Sequence, residues 1–337
     1  MPDVNTWHAQ VQEEILDPAR PICDPHHHLW DHPGNRYLLD DLLADTGSGH
    51  NVVSTVFVEC MSMYRADGPE AMRPVGETEF VNGIAAMSAS GRYGPARVAA
   101  GIVGFADLSL GDSVVPVLEA HLAAAPARFR GIRHAAGWHE SPDIRNSHTN
   151  PPRGLLSDPE FRRGYQHLPR FGLTFEAWLY HPQLGELVDL ARAYPEVTIV
   201  LDHFGGPLGI GPYAGRRDEV YEAWKQDIDA LATCPNVVAK LGGINMPING
   251  FGWDKRPVPP TSEELAAATR HYYDRTIDRF GPSRCMFESN FPVDRVSCSY
   301  AVLWNAFKRM AAGYSEDEKS AMFHDTAARV YRLPPIG

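Results

Sequence analysis

Three consecutive histidines, His26, His27 and His28, lie in the stretch ICDPHHHLWD behind a short apolar lead-in. In an extended strand alternate side chains share a face, so His26 and His28 point together and His27 points away. Two imidazoles on one face form half of a metal site, or a pair of donors for a carbonyl oxygen. A third histidine, His203, stands in VLDHFGGP. Carboxylates recur in comparable places: Glu59 closes VVSTVFVEC, Glu176 lies in LTFEAWLY, and Glu288 precedes Asn290 by two in RCMFESNFP. Arg133 and His134 end FRGIRHA, and Lys240 lies in NVVAKLGGI. A guanidinium matches a carboxylate with two parallel hydrogen bonds, so Arg133 is either a clamp for an acidic substrate or the partner of a buried glutamate. With His26, His28 and His203 holding zinc or manganese, such a set would polarise a carbonyl and lower the pKa of a bound water.

Residues so far apart in sequence need a scaffold that brings them to one rim. Eight short apolar runs begin near residues 21, 52, 98, 129, 173, 197, 236 and 284, bounded by Gly, Pro or Asn as buried strands are. Amphipathic stretches separate them; over 183–194, Leu184, Leu187, Val188 and Ala191 fall on one helical stripe. SEDEKSAMFHDTAARVYRL reads as a closing helix. Alternating strand and helix predict parallel βα units, and eight of them predict a distorted (β/α)8 barrel. The barrel is expected over about 20–333, within one domain spanning 1–337. No Gly-rich dinucleotide fingerprint follows the first strand, which counts against an open doubly wound sheet. Long connections at 61–97, 136–157 and 245–261 are placed on the C-terminal face and supply wall candidates Tyr64, Arg65 and Trp253. A helix is expected near 76–90.

The formal charge of −11 argues against nucleic acid or an anionic membrane as partner, and a small-molecule substrate is expected. Five scattered cysteines without CxxC spacing fit reduced thiols. The first twenty residues lack the pattern of a signal peptide, and no apolar run approaches the ~20 residues of a membrane span, so a cytoplasmic protein is expected. Self-association is left open.

The ordered set DPHHHLW, GIRHAAGW, VLDHFGGP, NVVAKLGG and RCMFESNFPVD resembles the amidohydrolase superfamily, in particular its amidohydrolase-2 branch. That branch includes 2-pyrone-4,6-dicarboxylate lactonase, sugar lactonases and, more distantly, a muconate-semialdehyde decarboxylase. The resemblance implies a site at the strand C-termini with His26 and His28 as the HxH pair, His203 as the strand-6 histidine and Arg133 as substrate anchor. It also implies chemistry with one divalent metal or with none. The family's strand-8 aspartate, its usual general base, stands in GSDWP; this chain has ESNFP, with Asn290 at that position. An amide takes no proton near neutral pH. Glu288, Glu59, Glu176 and Asp294 are the possible replacements, with Asp294 and Glu59 preferred as nearer the rim; Lys240 and Glu176 are further substrate contacts. The leading expectation is a lactonase acting on a carboxylated or sugar-derived lactone. A metal-dependent decarboxylase of an aromatic or muconate-like acid is the alternative, and a non-catalytic ligand-binding barrel the third.

Overall fold

The apolar runs are short and apolar throughout because they are covered on both faces. In the computed structural model, which describes residues 3–335, they form eight parallel strands neighbouring one another in chain order. These are β1 (Ile22–His27), β2 (Val52–Val58), β3 (Arg97–Gly104), β4 (Phe129–Arg133), β5 (Thr174–Ala177), β6 (Ile199–Leu201), β7 (Val237–Leu241) and β8 (Cys285–Phe287). The sheet curls until its edges meet just beyond β8. There the His28 N–H donates to Phe291 O at 2.8 Å and the Asn290 N–H to His26 O at 3.0 Å. The result is a nearly closed (β/α)8 barrel.

One helix follows each strand: α1 (Leu39–Thr46), α2 (Val75–Ala89), α3 (Val115–Ala124), α4 (Pro159–Tyr165), α5 (Leu184–Ala193), α6 (Arg217–Ala232), α7 (Ser262–Phe280) and α8 (Tyr300–Met310). The stripe expected on α5 is buried in full. α7 begins where its local chemistry says it must. Thr261 Oγ1 accepts from the Glu264 N–H, and the Glu264 carboxylate accepts from the Thr261 N–H at 2.8 Å.

Inside the barrel, Cys23, Val56, Val58, Val103, Val200, Val238 and Met286 form an apolar layer. Ala327, Val330 and Tyr331 close it from below, leaving the polar side chains above it toward the strand C-termini. The closing segment is not the single helix its periodicity suggests. It runs as Glu316–Ser320, a widened π turn at Ala321–Asp325, and Thr326–Val330. The wide turn lets both Met322 and Phe323 be buried before the chain reaches the barrel floor.

Several strands also end sooner than their apolar runs. His203, Phe204 and Asn290 have φ of 51°, 57° and 54°, a left-handed conformation that cannot continue a strand. Strand parity therefore does not carry from Glu288 to Asn290. Among the described residues no helix is long and apolar enough to cross a membrane.

Candidate active site

The turns beyond β1, β6 and β8 converge. The rings of His26 and His28 lie 4.9 Å apart and those of His26 and His203 4.5 Å apart. His27 faces outward, its Nε2 2.8 Å from Thr55 Oγ1 and its ring against Phe57. Alternation along β1 thus places these rings as the sequence predicts. Two glycines make room for the rest. A Cβ on Gly243, where φ is +66°, would lie 2.1 Å from His203 Nδ1, and one on Gly242 would lie 2.2 Å from Glu288 O.

Glu288 is the bridge. Its Oε1 accepts from His203 Nδ1 at 2.6 Å, and its Oε2 lies 2.8 Å from His26 Nδ1. Burial opposes its charge, but His203 and His26 hold its carboxyl down at about 2. Next to it, Asp202 places Oδ1 3.2 Å from Lys240 Nζ and 3.6 Å from His26 Nδ1, and Oδ2 3.6 Å from Arg133 Nη1. Lys240 also lies 3.1 Å from His26 Nδ1 and donates to Glu176 Oε2 at 2.6 Å. Burial pushes Glu176 up to about 8 against the pull of Lys240, and pushes His26 down with Lys240 adding to the effect.

A second cluster adjoins the first. Arg133 Nε donates to Glu59 Oε1 at 2.7 Å, Nη2 donates to Glu59 O, and Nη1 lies 3.3 Å from His26 Nε2. His148, from the loop after β4, places Nε2 2.8 Å and 3.1 Å from the two Glu59 oxygens. Burial works against the Glu59 charge, yet His148 and Arg133 hold it at about 2. Tyr64 belongs to this neighbourhood: burial, reinforced by the Glu59 charge, raises its phenol, and its OH has no hydrogen-bond partner.

Other expected residues are placed elsewhere. Asn290 donates from Nδ2 to Asp294 Oδ1 at 3.1 Å. Burial lifts Asp294 to about 7 against the pull of His203, and its charge also bears on Tyr273 and Cys298 of the layer outside the barrel. Asp294 was preferred over Glu288 as nearer the rim, yet it is Glu288 whose two oxygens meet His203 and His26. Arg65 is exposed and pairs with Glu79. Trp253 stacks on Phe251 at 5.9 Å within the outer core. Sequence reasoning missed Asp202 and His148. Asp202 immediately precedes His203 and could have been flagged by that position; His148 carries no local signal.

The donor chemistry suits a divalent cation. One ligand atom each from His26, Asp202 and His203 lie within 4.8 Å of one another, all buried. Both Asp202 oxygens and Glu288 Oε2 lack a well-aligned hydrogen bond, so buried carboxylate oxygen is left over for a cation. His203 donates Nδ1–H to Glu288 and His28 donates Nδ1–H to Val58 O at 2.7 Å, which leaves each Nε2 as a lone pair. His28 itself lies outside the 4.8 Å trio, and Asp202 takes the place expected for it.

Comparison with known proteins agrees with this architecture. A family model described as amidohydrolase matches residues 23–333. An uncharacterized protein, y4mH, of Sinorhizobium fredii is 34% identical over 334 residues, covering 93% of this chain and 98% of its own length. An L-fucono-1,5-lactonase of Burkholderia multivorans is 27% identical, covering 92% of this chain and 96% of its own. The crystal structure of a Burkholderia multivorans amidohydrolase with bound zinc superposes with a TM-score of 0.71 at 24% identity, covering 93% of this chain and 99% of that one.

Proposed function

This chain belongs to the amidohydrolase family, and from that premise we propose that it is a lactonase opening a sugar-derived lactone. The observation that carries the reading is Glu288 bridging His203 and His26 beside Lys240 and Arg133. Fixed imidazoles and cations in a water-poor site stabilise the oxyanion that forms when water adds to an ester carbonyl. The lactonase name of a full-length relative points the same way.

The Arg133 fork also bears on substrate choice. Two of its three nitrogens are spent on Glu59, so it has little left to clamp a substrate carboxylate. Glu59, Asp202, Glu288 and Glu176 crowd the same space, and this favours a neutral sugar lactone over a carboxylated one. A divalent metal, if held, would be held by His26, Asp202 and His203 and would supply Lewis acidity toward the carbonyl oxygen. In either state Glu288 fixes the His203 tautomer, and Lys240 counters the charge of Asp202.

The test is a panel of neutral aldonolactones, carboxylated pyrones and aromatic acids, run on chelated protein and on protein supplied with zinc or manganese. Opening of neutral lactones, lowered at least about 100-fold in His203→Asn, is expected. Carbon dioxide release from aromatic acids without lactone opening would instead establish the decarboxylase.

A further inference from the structure

If water is to attack a lactone here, some group must take its proton, and Asn290 cannot. Glu288 is tied to two imidazoles, Asp202 sits among Lys240, His26 and Arg133, and Glu176 lies beneath Lys240. Glu288 and Asp202 are thereby weakened as bases, and both Glu176 oxygens are occupied, by Lys240 and by the Tyr331 hydroxyl. Asp294 is wholly buried and accepts from Asn290 Nδ2. The remaining group is His148. Its Nε2 is anchored on Glu59 at 2.8 Å, and Glu59 is fixed in turn by Arg133. Among the described residues its Nδ1 has no hydrogen-bond partner, and its side chain is 27% exposed where Glu59 is wholly buried.

The ring is placed by design of the loop. On one side the Ser147 N–H donates to Gly137 O at 2.8 Å; on the other Thr149 Oγ1 donates to Ala135 O at 2.7 Å. Both flanking residues are thus tied to the chain just beyond β4. A buried carboxylate, an oriented imidazole and a free second nitrogen make up the base half of a hydrolytic triad.

We propose that His148, oriented by Glu59, is the general base that activates water in the lactone-opening reaction, a role that rests on the lactonase reading. Nδ1 takes one proton from water as the water oxygen bonds to the carbonyl carbon. The carbonyl π electrons move to oxygen. As the carbonyl re-forms, the ring C–O bond breaks, and the departing alkoxide recovers the proton from the imidazolium. The product is the open hydroxy acid, and the ring returns to its neutral form.

The experiment uses the full chain and has two arms. In the first, His148→Ala is assayed on the lactones that the native protein opens. kcat is expected to fall about 100-fold or more with KM little changed, and added imidazole to restore activity about tenfold. Full turnover by His148→Ala overturns the dyad and leaves the lactonase reading intact. So does loss of turnover that imidazole leaves untouched and His148→Gln repairs. The second arm needs no turnover. Diethyl pyrocarbonate labelling at mildly alkaline pH, read by peptide mass, is expected to modify His148 faster than the exposed His32, with Glu59→Gln removing that advantage. If the native chain opens no lactone but labels in this way, the lactonase reading falls and the oriented imidazole stands. If His148 labels no faster than His32, the dyad falls.

Discussion

Gly243 carries no functional group, yet the position of His203 depends on it. Its φ of +66° is open to glycine at no steric cost, and a methyl there would lie 2.1 Å from His203 Nδ1, inside the hydrogen bond to Glu288. Gly243→Ala is therefore expected to leave a folded barrel with a displaced imidazole. Turnover should fall about 100-fold, because misplacing a reacting group by about 1 Å has that effect. Gly185 is the control. It lies in α5 with open space around its Cα, so Gly185→Ala should stabilise the protein by roughly 0.5–1 kcal/mol and leave turnover unchanged. Equal turnover in both variants would show that His203 tolerates the displacement and would remove its fixed tautomer from the argument.

At the scale of elements, the first turn of α2 pins the loop after β2 through one buried carboxylate. Glu77 Oε1 accepts from the Cys60 N–H at 3.0 Å and the Ser62 N–H at 2.7 Å, while Oε2 has no partner. Burial, reinforced by the charge of Glu59, lifts Glu77 from 4.5 to about 8. The unfolded chain therefore gives up this proton first, and folding loses stability as pH rises between those two values. Glu77→Gln keeps the accepting oxygen and removes the titration. It should flatten the fall in denaturation midpoint between about pH 5 and about pH 8. An unchanged pH slope would mean that Glu77 is not the group responsible. Elements of this kind were largely legible in the sequence: α7 starts at its capping box, and α5 buries the stripe its spacing dictates. Local periodicity determines such features. The site was legible on the strands, as with His26, Glu176 and Lys240, and just past their ends, as with His28, Glu59, His203 and Glu288. Glu288 was ranked below Asp294 on expected nearness to the rim, and its contacts with His203 and His26 come from segments 85 or more residues away. His148 went unnoticed because its partner is 89 residues away and its own surroundings are an ordinary loop.

For the whole molecule, the polar site and the apolar floor are two layers of one interior, joined through the C-terminal segment. Tyr331 lies under the barrel against the layer of Val56, Val103, Val200, Val238 and Met286, and its OH donates to Glu176 Oε1 at 2.8 Å. Glu176 in turn holds Lys240, which stands against His26 and Asp202. A chain that lacked this segment would expose the floor to water and leave a buried carboxyl oxygen unsatisfied. Tyr331→Phe keeps the packing and removes only the hydroxyl, so it isolates the second effect, at about 1–3 kcal/mol. Truncation before Thr326 removes both, and burial of a barrel floor is worth far more than one hydrogen bond. The expected order in urea denaturation is native, then Tyr331→Phe with a lower midpoint and the same slope, then a truncated chain that binds a hydrophobic dye without denaturant. A truncated chain that unfolds at the native midpoint with the native slope would mean that the barrel closes without its plug. The Glu176–Lys240 pair would then be held in place by the strands alone.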